Sequence, residues 1–321
     1  MGDLIITNGD TAADLLRQAG RGGTILPWRD VLHEGPIVGG ALEACSRRRV
    51  SYLTQRFGLP EAEIAEGFAE RDGIMRAHAG YDRIELWFEH DLFDQLQLLQ
   101  VLAFFADAER SDGLVLVQAD DFLGRQRADT ILTFGERARD ITAIDLDIAR
   151  RAWLDVAAPT PEAAARRAEI AEPRFPFLPP ALRRFLEELP APGNGLGRTE
   201  ATALDDIHAG EGNPVRLFHD LIHQEEAAFM GDWSFFRLLD DLAFCDVPLI
   251  AGLPPPSPAD DNTGRFREAA LELTMAGEEV LAGEEDHVEL SGLDRWWGGT
   301  RLAGRNVWRY DRGARRLLPP T

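Results

Sequence analysis

Residues 84–100 read IELWFEHDLFDQLQLLQ: an apolar strand, then Glu89, His90, Asp91 and Asp94 within six positions, then apolar residues at helical spacing. Carboxylates beside an imidazole can hold a divalent cation through hard oxygen ligands, or move protons as general acid and base. Three further apolar runs end in the same way. DLIIT runs into Asn8-Gly9-Asp10, GTILPW into Arg29-Asp30 with His33-Glu34 beyond, and GLVLVQ into Ala119, Asp120 and Asp121. Arg29 is suited to clamp an anionic group through two parallel hydrogen bonds. Asn8-Gly9-Asp10 ahead of a helix predicts a tight turn that aims backbone N–H groups at a phosphate. His33, Glu89, His90 and Asp91 are thus the candidate catalytic residues. Asn8, Gly9, Asp10, Arg29, Asp30, Glu34, Asp94 and Gln95 are the candidate ligand-binding residues, with a divalent metal as the cofactor such a set would take. The plain structural alternative is helix capping, because acids favour helix N-termini. Capping accounts for Asp10 or Asp91 equally well, but Glu89 and His90 precede the cap position and cannot both be caps.

These residues need a scaffold that gathers strand ends. Four short apolar runs alternate with helical segments, the pattern of a parallel sheet covered on both faces. In such an open sheet, ligands bind outside the carboxyl ends of the strands, so the four polar clusters are expected along one edge. Residues 41–79 read as helical, and Asp140–Trp153 as a fifth strand and a helix. The expected fold class is α/β: an open, mostly parallel Rossmann-like sheet over residues 1–155, with helices on both faces. A Pro/Ala-rich linker is expected over 156–178, and a mainly helical, winged-helix-like domain over 179–321. Within that domain RTEATALDDIHAG is a helix with Thr199 as N-cap, followed by helices in NPVRLFHDLIHQEE and DWSFFRLLDDLAF. LIAGLPPPSPADDNTG is expected as a loop, FREAALELT as a strand and MAGEEVLAG as a short helix. His219 and His223 in HDLIH share a helix face and could bind metal, but Asp220 stands where the zincin pattern wants Glu. A solvated or packing face is the expectation for that pair.

The whole composition narrows the classes. The chain has 321 residues, 45% of them hydrophobic, and a formal charge of −21. All 34 basic residues are Arg, which excludes a P-loop lysine and a Schiff-base lysine. Residues 1–150 carry 26 acids and 16 arginines and the remainder 29 and 18, so neither half attracts nucleic acid broadly. Residues 294–316 differ, with seven Arg and three Trp against two Asp, a mixture that suits nucleic acid or an Arg-on-Trp β-wing. The β-wing is the better fit to an acidic chain. No apolar run reaches membrane length, and the opening MGDLIITNGD lacks a signal-peptide pattern, so a cytoplasmic protein is expected. Cys45 and Cys245 are too few and too distant for a disulfide framework. Neither GxSxG nor GxxxxGK is present, and no GxGxxG follows the first strand.

Taken together, IITNGDTAADLLRQAG, ILPWRDVLHEGP and ELWFEHDLFDQLQLLQ resemble the bacterial domain-of-unknown-function family 1835, over roughly residues 4–125. The second half, with FMGDWSFFRLLDDLA and LSGLDRWWGG, resembles that family's companion region. The resemblance implies a two-part architecture and a shared strand-end rim, with Trp28 in its pattern. It carries no activity and assigns no role. Where a His is expected near the first strand, this chain has Ile5-Ile6.

The leading expectation is an enzyme that binds a small anionic ligand, phosphorylated or nucleotide-like, at the rim for hydrolysis or group transfer. Set beside it are a ligand-sensing regulator that uses the winged-helix-like module, and an interaction protein that docks a partner or its own copy as a homo-oligomer. Acids on the helices of the second half argue against nucleic acid as the partner.

Overall fold

The computed structural model describes residues 2–256 and 264–321. The chain divides into two compact units: Met1–Leu182 with Trp297–Thr300, and Arg183–Trp296 with Arg301–Thr321.

The first unit is built on strands β1 (Asp3–Thr7), β2 (Thr24–Pro27), β3 (Arg83–Phe88), β4 (Leu114–Gln118) and β5 (Arg139–Asp140). Helix α1 (Asp10–Gln18) follows β1, α2 (Leu42–Phe57) and α3 (Glu61–Arg76) follow β2, and α4 (Leu92–Asp107) follows β3. Helix α5 (Ala143–Val156) follows β5. The strand order is β2-β1-β3-β4-β5, with the first four parallel and the two-residue β5 antiparallel at the edge. The register keeps the strand ends level: Thr7 pairs with Pro27 and Trp87, and Phe88 with Gln118. Gly23 and Gly113 lead into β2 and β4 with φ of 85° and 71°, where a Cβ would lie 2.4 Å from the carbonyl oxygen of Asp3 or Asp82. Only glycine allows that conformation and that approach.

Side chains alternate across the sheet. Ile5, Trp87 and Val117 pack with Ala12, Ala13 and Leu16 of α1 and with Leu123, Ile131 and Phe134 of the loop after β4. The other face is covered by α4, which is buried nearly all round. That explains why LFDQLQLLQVLAFF lacks a polar stripe: its three Gln are buried and hydrogen-bonded. Gln97 donates to the Asp30 carbonyl at 2.8 Å. Gln100 accepts from the Trp28 indole at 2.8 Å, and Gln95 donates to the Glu89 carbonyl at 2.7 Å.

The segment expected as a linker is folded. It carries α6 (Glu162–Ala168) and buries Phe175 and Leu178, both 1% exposed, so its prolines punctuate a packed chain. The division falls at 182/183, inside helix α7 (Leu178–Leu186), just beyond the expected linker. Pro179 and Pro180 sit in the first turn of α7, where a missing N–H has no intrahelical acceptor to lose.

The second unit is mainly helical. Helices α8 (Arg198–His208), α9 (Pro214–Gln224) and α10 (Asp232–Ala243) surround Leu204, Leu217, Phe235 and Leu239. Strand β6 (Ile250–Ala251) comes next, then α11 (Gly264–Glu268), β7 (Glu272–Leu273), α12 (Met275–Leu281) and α13 (His287–Ser291). Strands β8 (Leu293–Trp297), β9 (Thr300–Gly304), β10 (Arg309–Asp311) and β11 (Arg316–Leu318) close the chain. The strand expected at FREAALELT is instead helix α11 followed by two strand residues. Of the expected loop LIAGLPPPSPADDNTG, residues 257–263 lie outside the described residues. Thr199 is not the cap of α8. Gly197 is, and Glu200 reaches back to its N–H at 2.6 Å, while Thr199 is buried between Glu188 and Arg184. The aromatic-rich terminus forms strands β8 to β11, and its Arg295, Arg301 and Arg309 pair with Glu200, Asp294 and Asp286. Trp297 is buried and Trp296 and Trp308 are half-buried, so these side chains do not form the exposed docking patch that a partner would need. No helix among the described residues is long and apolar enough to cross a membrane.

One buried ion pair fixes the chain beyond β2. Arg49 of α2 donates to Asp30 at 2.9 Å, both side chains are 0% exposed, and its other nitrogens cap the carbonyls of Val31 and Glu34. Breaking such a pair leaves a charge with no solvent to stabilise it. Arg49→Met is expected to lower the unfolding free energy by about 3–5 kcal/mol, and Asp30→Asn in the same chain to recover part of that loss, both read by urea denaturation. Equal stability of wild type and Arg49→Met would show that Arg71, 3.8 Å from Asp30, suffices alone.

A candidate site at the strand-end rim

The parallel register brings the ends of β1, β3 and β4 together, and Asp94 of α4 ties the first two to each other. Its carboxylate, 1% exposed, accepts from the Asn8 side chain at 2.9 Å and from the Glu89 N–H at 2.7 Å. Asp91 is the N-cap of α4, accepting from the Asp94 N–H at 3.2 Å. Capping thus accounts for Asp91, as the simplest reading of the sequence allowed. It does not account for Glu89. The Glu89 carboxylate accepts from the Leu123 N–H at 2.7 Å, and it is also hydrogen-bonded by Asn8, the Gly124 N–H and the Asp91 side chain.

Glu89 faces a cleft of about 260 Å³. Its walls include Asn8, Phe93, Phe122, Gly124 and Arg125, together with the first turn of α1. Gly9 caps α1 with an extended backbone (φ −162°) and no side-chain hydrogen bond. The tight turn expected of Asn8-Gly9-Asp10 is therefore absent. The glycine's effect is to leave the helix N–H groups without a side-chain cap, a ready site for an anion. Arg29, at φ 56°, donates to Asp10 through Nε at 2.9 Å and holds the Asp10 carboxyl below its usual range. It neutralises the acid nearest the helix end instead of meeting a ligand itself. A cleft of about 650 Å³ beside α8 and α9, and one of about 300 Å³ beside Cys45, are as roomy or roomier. Neither sits at the carboxyl end of the parallel strands, where the carboxylates and helix N–H groups converge.

Other residues proposed from the sequence go elsewhere. Asp30 is locked to Arg49 inside the protein. Glu34 accepts from Arg56 and Tyr52. His33 is 7% exposed, with its ring 6.0 Å from Phe93, so it lies behind the cleft wall. His90 packs against Phe122 and Phe177, at 5.1 and 5.9 Å. Gln95 anchors the Glu89 backbone from below. Asp120 pairs with exposed Arg137, and Asp121 caps the following turn. The sequence reading missed Leu123, Gly124 and Arg125. They lie in the run FLGR after the fourth strand, directly behind Asp120 and Asp121.

Among the described residues, Glu89, Asp91 and Asp94 form the one group of three metal-capable side chains, each offering an oxygen within 4.8 Å of the others. Three hard oxygens on that span fit a Mg²⁺, Mn²⁺ or Ca²⁺ ion. Without a cation, the cluster must hold protons. Burial raises all three carboxyls, and the neighbouring acid charges add to it for Asp91 and Asp94. Asp91 reaches about 8. No protein-family model matches the chain, and no curated protein matches it.

The raised carboxyls set a pH dependence. Below the ordinary Asp value of 3.8 the group is protonated in both states and costs nothing. As pH rises, the unfolded chain releases its proton first, so stability falls until pH passes about 8. In a chelator, the urea-unfolding free energy should decline from pH 5 to pH 8, and Asp91→Asn should flatten that decline while keeping the cap. An unchanged slope in Asp91→Asn would show that this carboxyl does not carry the proton.

Proposed function

We propose that this protein is an enzyme acting on a small phosphorylated or nucleotide-like molecule at the rim cleft, by hydrolysis or transfer of the phosphorylated group, with a divalent cation held by Glu89, Asp91 and Asp94. The observation that carries this reading is one cleft with two complementary sides. The side-chain-uncapped N-terminus of α1 receives an anion on one side, and on the other a carboxylate is fixed by backbone N–H groups. Phosphates are bound at helix N-termini by the unsatisfied N–H groups and the helix dipole together. Arg125 adds a positive charge at the cleft wall. Glu89 is the acid that faces the cleft, so it is the group placed to accept a proton from an attacking water or hydroxyl. With no cation bound, Asp91, hydrogen-bonded behind Glu89, is neutral near pH 7 and keeps the pair from carrying two negative charges; a bound cation would take the place of that proton. The cation, when bound, would neutralise the developing charge on the transferred group. The fold class supports the location, since open parallel sheets bind ligands beyond their strand carboxyl ends. Of the residues in the family 1835 pattern, Asn8, Gly9, Glu89, Asp91 and Asp94 lie at this edge, while Asp30 and Glu34 are held by Arg49, Arg56 and Tyr52.

Thermal shift with Mg²⁺ or Mn²⁺ and a panel of inorganic phosphate, nucleotides and sugar phosphates tests the proposal. A true ligand at about 100 times its Kd adds about 2.7 kcal/mol to stability. The wild type should respond to a phosphorylated compound and not to its dephosphorylated counterpart. Glu89→Gln should lose the metal-dependent part of the response. Gly9→Asp, whose carboxylate would cap α1 in place of the ligand, should keep the fold and lose the phosphate response. A response that survives both substitutions, or none in the wild type, sinks the reading.

A further inference from the structure

We propose that His219 and His223 on α9 form a second metal site, distinct from the rim: a two-histidine site for a late first-row divalent cation, Cu²⁺ above all. The sequence reading set this pair aside as a solvated face. The structure gives it two properties that a solvated face does not require, and an exposure that a solvated face shares. First, the rings lie together, with centroids 4.1 Å apart and planes 34° apart. Second, each ring presents the same nitrogen to an oxygen. His223 Nδ1 is 2.7 Å from the His219 carbonyl oxygen, and His219 Nδ1 is 3.3 Å from an Asp220 carboxylate oxygen. A carbonyl or carboxylate oxygen only accepts, so both Nδ1 atoms carry hydrogen and both Nε2 atoms keep a free lone pair. Metal-binding imidazoles are oriented by this kind of outer hydrogen bond, which fixes the tautomer and raises ligand basicity. Both rings are exposed, so a cation reaches them without opening the fold.

The electrostatic setting suits a cation. The pair sits in the last two turns of α9, where the helix dipole is negative, and Asp220 and Glu226 lie close by in sequence. Imidazole favours Cu²⁺, Ni²⁺ and Zn²⁺ over Mg²⁺ or Ca²⁺, and Cu²⁺ stands at the top of the affinity order. The site therefore differs in chemistry from the all-carboxylate group at the rim. The pair supplies two protein ligands, one turn apart, and among the described residues it belongs to no larger metal-capable group. Water completes the coordination, and the bound ion clamps one turn of α9.

The test is a Cu²⁺ titration of the full chain, followed by visible absorption and by electron paramagnetic resonance. The wild type should bind one equivalent with nitrogen coupling from two imidazoles. His219→Gln and His223→Gln should each weaken that equivalent by about tenfold or more, the scale of loss when a metal site is degraded. Both positions are exposed, so circular dichroism should be unchanged. His208→Gln, which removes a histidine paired with Glu278, should bind as wild type. Binding that persists undiminished in the two α9 variants would overturn the proposal, as would a wild-type spectrum without two-nitrogen coupling.

Discussion

Asp94 binds three elements through one carboxylate. Asn8 comes from the end of β1, the Glu89 N–H from the end of β3, and Asp94 itself from the first turn of α4. A carboxylate without solvent is costly unless hydrogen-bonded, so the strand ends must stay in register to keep it satisfied. The same constraint places Glu89. With its N–H held by Asp94 and its carbonyl by Gln95, the backbone cannot rotate, and its carboxylate is delivered to the loop after β4. The rim is thus rigid because its acids are buried, and its acids are perturbed for the same reason.

The absence of lysine acquires a structural meaning alongside this. The buried cations each use the guanidinium fork. Arg49 reaches one carboxylate and two carbonyls, and Arg184 reaches Glu225, Glu188 and Thr199. Five fixed donors can satisfy several acceptors at once, while an ammonium has three donors on a flexible stem. The chain's 34 arginines bury charge in both units in this way, although Arg71 Nη1, Arg237 Nε and Arg265 Nε are buried without a hydrogen bond. The charges buried beyond β2 are also why the residues there cannot serve the cleft: Asp30 and Glu34 are consumed by Arg49, Arg56 and Tyr52.

The sheet was legible because its strands are short apolar runs and its glycines stand at the entries of β2 and β4. The location of the site followed from the parallel order, which the alternation of strands and helices announces. Roles within the cluster were not legible. EHDLFD looks the same whether Asp91 caps, Asp94 staples or Glu89 faces a cleft, because those assignments depend on which direction each side chain leaves the turn. Gly9 was read as a turn former, and it serves by lacking a side chain that would cap α1. The segment 156–178 looked like a linker because prolines were counted without knowing that Phe175 and Leu178 would be buried.

Sequence alone determined the α/β class, the edge of the sheet where polar residues gather, and the lack of any lysine-based chemistry. These depend on local periodicity and composition, which a chain displays without folding. Tertiary structure decided which acids are neighbours, which arginine neutralises which acid, and which oxygens the α9 imidazoles face. Each of these is set by distances of 3–4 Å between residues remote in sequence, or by the angle at which a side chain leaves its helix, and periodicity contains neither quantity.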